Sequence, residues 1–319
     1  MKNKFKSLNK NTLIALIVSI ISAMALVFVF FVRTLPSVQE YRSAEYRYQT
    51  LMNKGHGHDK MPKGIFHYNN NTETPDLATL SKLAKKGAQN AQLRGFLFMP
   101  KSDIAKMPVY EGNSPEILAL GGGTIRPYET IGKDNFALEA HNYIKLKQNN
   151  NNEWFLTKLQ KKVAPQGDKD IKNVNVKTND PVYFADKKTL TIFHVVARNI
   201  VNIQQPYASA MLKKDHTRSF NQNKPLITIA TCYEQDGILH PKERIVISAQ
   251  KDAQYALKDL SRAQKAKLLK DQQKPKLSQV FINCFLTLIP LAVLIGAIIY
   301  LIKHHHHTPK STEPVIITK

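Results

Sequence analysis

The chain has 319 residues, and its 46 lysines and arginines outnumber 24 acidic residues, for a formal charge of +22. That balance suits an acidic partner, but the basic residues are scattered and the aromatics form no stacking platform; nucleic acid is disfavoured, leaving anionic membrane or wall polymers. Only 2 cysteines occur, one of them (Cys284) in an apolar run, which excludes a disulfide framework.

Residues 1–11 carry Lys2, Lys4, Lys6 and Lys10 and read as a cytoplasmic basic terminus; residues 12–32 follow without a charge. An apolar run of this length spans a bilayer, which takes ~20 residues. A cleaved signal peptide has a shorter core of ~7–15 residues and a small-residue cleavage site. An uncleaved transmembrane helix, amino terminus inside, is therefore expected. Residues 33–94 read as an extracellular helical juxtamembrane segment. It starts with a short helix over 38–52 and is broken by Gly55 and Gly57 and by the asparagines at 69–71. His56, His58 and His67 have no cysteine nearby and read as solvated loop rather than a metal site. Thr74 as cap, Pro75 at the first helical position and the apolar face Leu77, Leu80, Ala84, Ala88 and Ala91 then predict a second helix.

From residue 95 to 250 short β-rich runs dominate, at 96–99, 107–110, 137–143, 154–159, 182–185 and 190–203, with two more inside 226–249. Strands of this number and length, separated by turn signals, predict an all-β-dominated domain: a closed or nearly closed antiparallel barrel with short helices. Residues 148–152 form a polar hairpin tip. Beyond Ala249, Ala253, Ala256, Leu260, Ala263, Ala266 and Leu269 recur at helical spacing among lysines, predicting a basic amphipathic helix over 251–279. Residues 280–302 read as a second transmembrane helix in which Pro290 is a tolerated kink, and residues 303–319, with His304 to His307, as a cytoplasmic tail. Both termini are then cytoplasmic and the middle lies outside.

The stretch from Leu226 to Ala249 concentrates the chemistry. Ile227, Ile229 and Thr231 alternate with Thr228 and Ala230, and Ile245 to Ser248 repeats the β-branched composition after a loop. Paired strands would hold the Cys232 thiol and the Arg244 guanidinium at neighbouring ends. A nearby cation favours the reactive thiolate. On this stretch alone, a cysteine packed as a small hydrophobe is the ordinary expectation.

Thr228 to Cys232, Arg244 and the upstream run Gly132 to Asn142 together resemble the sortases. Their signature is Thr-Leu-x-Thr-Cys, a later arginine, and an upstream strand ending in a small residue and histidine. The resemblance runs from about 95 to 249 and includes the segments 95–100, 108–112 and 121–124. Ile229 replaces the usual leucine, Ala140 a common glycine, and Glu139 is an unexpected charge beside the histidine. What the resemblance implies is a closed eight-stranded barrel and a cysteine transpeptidase, membrane-anchored at the surface of a Gram-positive bacterium. Cys232 would be its nucleophile, His141 its acid and base, and Arg244 its oxyanion or substrate donor, with Ala140, Ala230, Thr231 and Tyr233 binding substrate. The Tyr233 N–H is expected to complete the oxyanion hole, and His194, with no motif around it, to be structural. No metal or other cofactor is expected; calcium activates some members, but here Glu129 and Asp134 stand isolated. Surface proteins with a Leu-Pro-x-Thr-Gly (LPXTG) signal would be cut between Thr and Gly and transferred to a peptidoglycan-precursor amine.

Besides a thiol protease, in which water would replace the amine, two alternatives stay open. The Gly132 to Leu138 run resembles class A enzymes, whereas a second span resembles class C, the pilin polymerases that use a pilin lysine as acceptor. Class C usually carries an Asp-Pro-aromatic lid, and none occurs over 33–94, so wall anchoring is preferred. The other alternative is a non-catalytic, doubly anchored basic module that binds the envelope.

Overall fold

The computed structural model describes residues 31–32, 34–54, 75–127, 129–146, 155–202, 224–238 and 241–261. The expected spans at 12–32 and 280–302 lie outside these apart from Phe31 and Val32, as do His56, His58, His67, His304 to His307 and the tip at 148–152. Among the described residues no helix is long and apolar enough to cross a membrane. The chain divides into two compact units, Met1–Val38 with Lys276–Lys319, and Gln39–Pro275, and the second holds every strand described.

The expected amino-terminal helices are present as α1 (Pro36–Lys54) and α2 (Leu77–Asn90). Asp76, not Thr74, caps α2: its Oδ1 accepts the Thr79 N–H at 2.8 Å, satisfying one of the unpaired first-turn donors. The predicted apolar face of α2 is buried through Leu80 and Ala84, which pack with Leu51 of α1 and with Leu93, Phe96, Phe98 and Tyr110 on the barrel wall. Gly87 allows this approach, since a Cβ there would lie 2.2 Å from Glu116 O in the short helix α3 (Pro115–Leu118).

Eight strands close the barrel: β1 (Leu93–Met99), β2 (Ile104–Tyr110), β3 (Gly122–Thr124), β4 (Asn135–Glu139), β5 (Pro181–Ala185), β6 (Thr189–Asn202), β7 (Leu226–Cys232) and β8 (Glu243–Ala256). They lie in the order β1-β2-β3-β4-β7-β8-β6-β5. The barrel is mixed rather than wholly antiparallel, because β2 with β3 and β4 with β7 run parallel. Parallel neighbours require crossover connections, and α3 supplies the first. Alternation sorts the side chains. Phe136, Leu138 and Ala140, Ile227 and Ile229, and Ile245, Ile247 and Ala249 share the interior. Ala137, Ala230 and Val246 form a separate cluster with Ile125 on the other face.

Several expected elements differ. The strand expected at 154–159 is instead a turn over Thr157–Leu159, and Leu156, Leu159, Ala164, Val174 and Val176 plug the barrel core without joining the sheet. The eighth strand is β3, hidden in the sequence because two of its three residues, Gly122 and Gly123, have low strand propensity. Gly123 is required there, since a Cβ would stand 2.2 Å from Gly112 O. The strand expected to reach 143 ends at Glu139. The helix expected to begin after Ala249 is, as far as Ala256, the continuation of β8, with a turn at Leu257–Asp259. β6 pairs with β8 from Thr189↔Ala256 to Asn202↔Glu243, and this ladder overrides the helical spacing of the alanines. The remainder, from 262 to 279, lies outside the described residues.

Candidate active site

β7 and β8 place Cys232 opposite Arg244 in an antiparallel pair. β4 lies on the other side of β7, with Glu139 beside Ala230 and the Ala140 N–H donating to Ala230 O at 3.2 Å. His141 follows two residues after the last paired residue of β4, close enough to Arg244 to feel its charge. Strand alternation puts Cys232 and Arg244 on the face shared by Ala230 and Val246 rather than in the barrel interior. The Thr231 hydroxyl donates to Ala140 O at 2.7 Å and ties the cysteine strand to the histidine segment.

All three side chains are closed off from solvent, His141 at 2%, Arg244 at 3% and Cys232 at 4% exposure. Cys232 is in no disulfide. Burial, and secondarily the positive charge of Arg244, pull the His141 pKa down to about 3, so the imidazole is neutral in this state. Its Nε2 is buried and has no hydrogen-bond partner among the described residues. Tyr143 and Phe155 pack against the ring, with centroids 5.6 and 6.2 Å away. Arg244 is oriented by its own loop, its Nη1 donating to Pro241 O at 2.6 Å and to Glu243 O at 3.1 Å. The unexpected Glu139 is buried and accepts the Asn113 Nδ2 at 2.6 Å.

Of the residues expected to bind substrate, Ala230 lies on the face of Cys232 and Arg244. Ala140 and Tyr233 belong to the barrel core, and the Thr231 hydroxyl is already engaged. The Tyr233 N–H, expected to complete an oxyanion hole, donates to Glu243 O at 3.0 Å and so already has an acceptor. His194 faces Asp252 at 2.7 Å, well away along β6 and β8. Among the described residues no three His, Cys, Asp or Glu side chains come together as a metal site. Glu129 pairs with Arg126 at 2.6 Å and accepts the Ala137 N–H at 2.7 Å, while Asp134 accepts the Thr130 N–H at 2.9 Å.

Sequence reasoning missed several polar groups around the trio. Asn142, Gln160 and Glu234 are all buried, and Lys145 pairs with Glu234 at 2.9 Å. Burial pushes the Glu234 carboxyl up, against the Lys145 hydrogen bond and the charges of Lys145 and Arg244. Arg47 of α1 is fully buried over the Phe155 ring, 5.2 Å from its centroid, with Nη1 donating to Ser43 Oγ at 2.6 Å. Desolvation brings its pKa down to about 10. An arginine on an exposed-looking, Tyr-rich helix gave no sign of this. α1 therefore packs against the aromatic pair that flanks His141.

Residues 97–252 match the family model described as Sortase domain. The chain carries a sortase domain. Solved sortases align with it over most of their own lengths. Sortase A of Listeria monocytogenes shares 17% identity over 56% of this chain and 97% of its own, with a TM-score of 0.40. Sortase C-3 of Streptococcus pneumoniae gives 14%, 75%, 96% and 0.39, and sortase E of Streptomyces avermitilis gives 16%, 53%, 94% and 0.37. At these scores the alignments carry no argument, and the assignment rests on the domain match. A comparison with curated proteins finds no match. Sortases are a family of cysteine transpeptidases, and the trio lies within the matched segment.

Proposed function

We propose that this sortase is a membrane-anchored transpeptidase that cleaves LPXTG-type signals between Thr and Gly and transfers the acyl fragment to a wall-precursor amine. The observation that carries this reading is the pairing of Cys232 with Arg244 at adjoining strand ends, with His141 near enough to feel the Arg244 charge and its Nε2 lacking a partner among the described residues. When the closed site opens to a peptide, His141 takes the Cys232 thiol proton and the thiolate attacks the Thr carbonyl carbon. The tetrahedral oxyanion is stabilised by Arg244, whose permanent charge and forked donors suit the task. Collapse breaks the Thr–Gly bond, His141 returns the proton to the leaving glycine amine, and a Cys232 thioester remains. An incoming amine gives its proton to His141, attacks the thioester and releases the thiol. The same reading places the protein in the plasma membrane of a Gram-positive bacterium through the apolar runs at 12–32 and 280–302, with the barrel outside.

The test uses the full-length chain in detergent with an LPXTG peptide and either a wall-precursor amine or a pilin lysine peptide, followed by mass spectrometry. A thioester on Cys232, with product from the wall-precursor amine and none from Cys232→Ala, is expected. Product from the pilin lysine alone would reassign the acceptor. A folded protein that leaves Cys232 unacylated across a panel of signals would leave the envelope-binding module as the better account.

A further inference from the structure

The chain carrying His141 leaves the sheet after Ala140, and what replaces the sheet there is a set of buried amides. The next rung of the parallel β4–β7 ladder would pair the Asn142 main chain with Cys232 O. Instead the Asn142 side chain reaches across, its Nδ2 donating to Cys232 O at 3.0 Å and to Gln160 Oε1 at 2.8 Å. Its Oδ1 accepts the Ile144 N–H at 3.1 Å. Gln160 is equally committed. Its Oε1 also accepts the Glu234 N–H at 2.8 Å, and its Nε2 donates to Glu234 O at 2.7 Å and to Lys162 O at 2.9 Å. The segment around Gln160 holds the neighbours of Asn142 as well: the Leu156 N–H donates to His141 O at 3.1 Å, and the Tyr143 N–H donates to Thr157 Oγ1 at 3.1 Å. Asn142 and Gln160 are 1% and 3% exposed, so water does not compete for these bonds.

We infer that Asn142 and Gln160 are positioning residues, a paired-amide clasp that locks the His141 segment to the chain leaving Cys232. The inference rests on the proposed roles of Cys232 and His141. Asn142 directly follows His141 and bonds the carbonyl of Cys232 itself, while Gln160 grips both main-chain groups of Glu234, two residues on. One small network thus sets the distance between thiol and imidazole, whose strands would otherwise diverge where the ladder ends. Neither side chain touches the reacting atoms.

The test compares Asn142→Asp, which keeps the shape and the Oδ1 acceptor but removes both Nδ2 donors, with Asn142→Gln, which retains the amide at longer reach. Both are made in the full-length chain. Two readouts are taken: transpeptidation of an LPXTG peptide, and the pH dependence of Cys232 alkylation by iodoacetamide, resolved by peptide mass spectrometry from Cys284. The expected result for Asn142→Asp is a kcat lower by about a hundredfold, the cost of a displacement of ~1 Å at a reacting pair, with KM within twofold. Its alkylation profile should coincide with that of His141→Ala, and Asn142→Gln should recover at least a tenth of the wild-type kcat. A folded Asn142→Asp with kcat within threefold of wild type, or with the wild-type alkylation profile, overturns the clasp. Should Asn142→Asp not fold, Asn142→Ser, whose shorter hydroxyl reaches neither acceptor, is read by the same two measurements. The alkylation profile needs no substrate. If the wild type itself proves inactive on every signal, a profile that depends on both His141 and Asn142 still supports the clasp, and one that ignores Asn142 still removes it.

Discussion

Folding shifts the ionisation of His141 strongly. In the unfolded chain its pKa is ~6.5, whereas burial and Arg244 lower it to about 3 in the folded protein. Between those values the unfolded chain binds more protons, so stability rises with pH and is lost as pH falls through this window. Relative to His141→Asn, the wild type should lose about 2 kcal/mol of unfolding free energy between pH 8 and pH 5. Denaturant titrations at the two pH values read this directly, and a difference independent of pH would show that the imidazole does not stay neutral and buried. The same burial separates what was legible at this scale from what was not. Cys232, His141 and Arg244 could be picked out by motif and spacing. Nothing in the sequence distinguishes Asn142 or Gln160 from any other amide, because their importance comes from where the His141 strand leaves the ladder.

At the scale of elements, strands with interior faces of Ile, Leu and Val were readable, and those made by pairing alone were not. β3 is three residues of Gly and Thr, and it exists because β2 and β4 flank it. The outer half of β8 has alanines at helical spacing, yet β6 holds it extended as far as Ala256. Helix α2 was readable from its apolar face, but its cap was misplaced by two residues, since Thr74 and Asp76 are both good capping residues by type. Asp76 Oδ1 is the acceptor of the Thr79 N–H, so Asp76→Ala should destabilise the domain by about 1 kcal/mol in thermal or chemical unfolding. An unchanged midpoint would show that α2 draws its stability from Leu80 and its neighbours alone.

For the whole molecule, Gln39–Pro275 forms a compact unit that contains the entire barrel and its plug. Expressed without the flanking segments, it should unfold in one cooperative transition seen alike by circular dichroism and tryptophan fluorescence. Two separate transitions would show that α1 and α2 do not belong to the same cooperative unit. By itself the sequence determined the class of the domain, and it singled out Cys232, His141 and Arg244 and the charged and apolar runs on which the proposed function rests. Those features are local: a side-chain period of two, a five-residue motif, an uncharged stretch. Only the tertiary structure decided the mixed strand order, the plug over 155–180, the burial of Arg47 against Phe155 and the amide bridge between Asn142 and Gln160. Each of these depends on residues far apart in the chain meeting in a water-excluded space, where a polar group must find its partner, and no local pattern encodes that meeting.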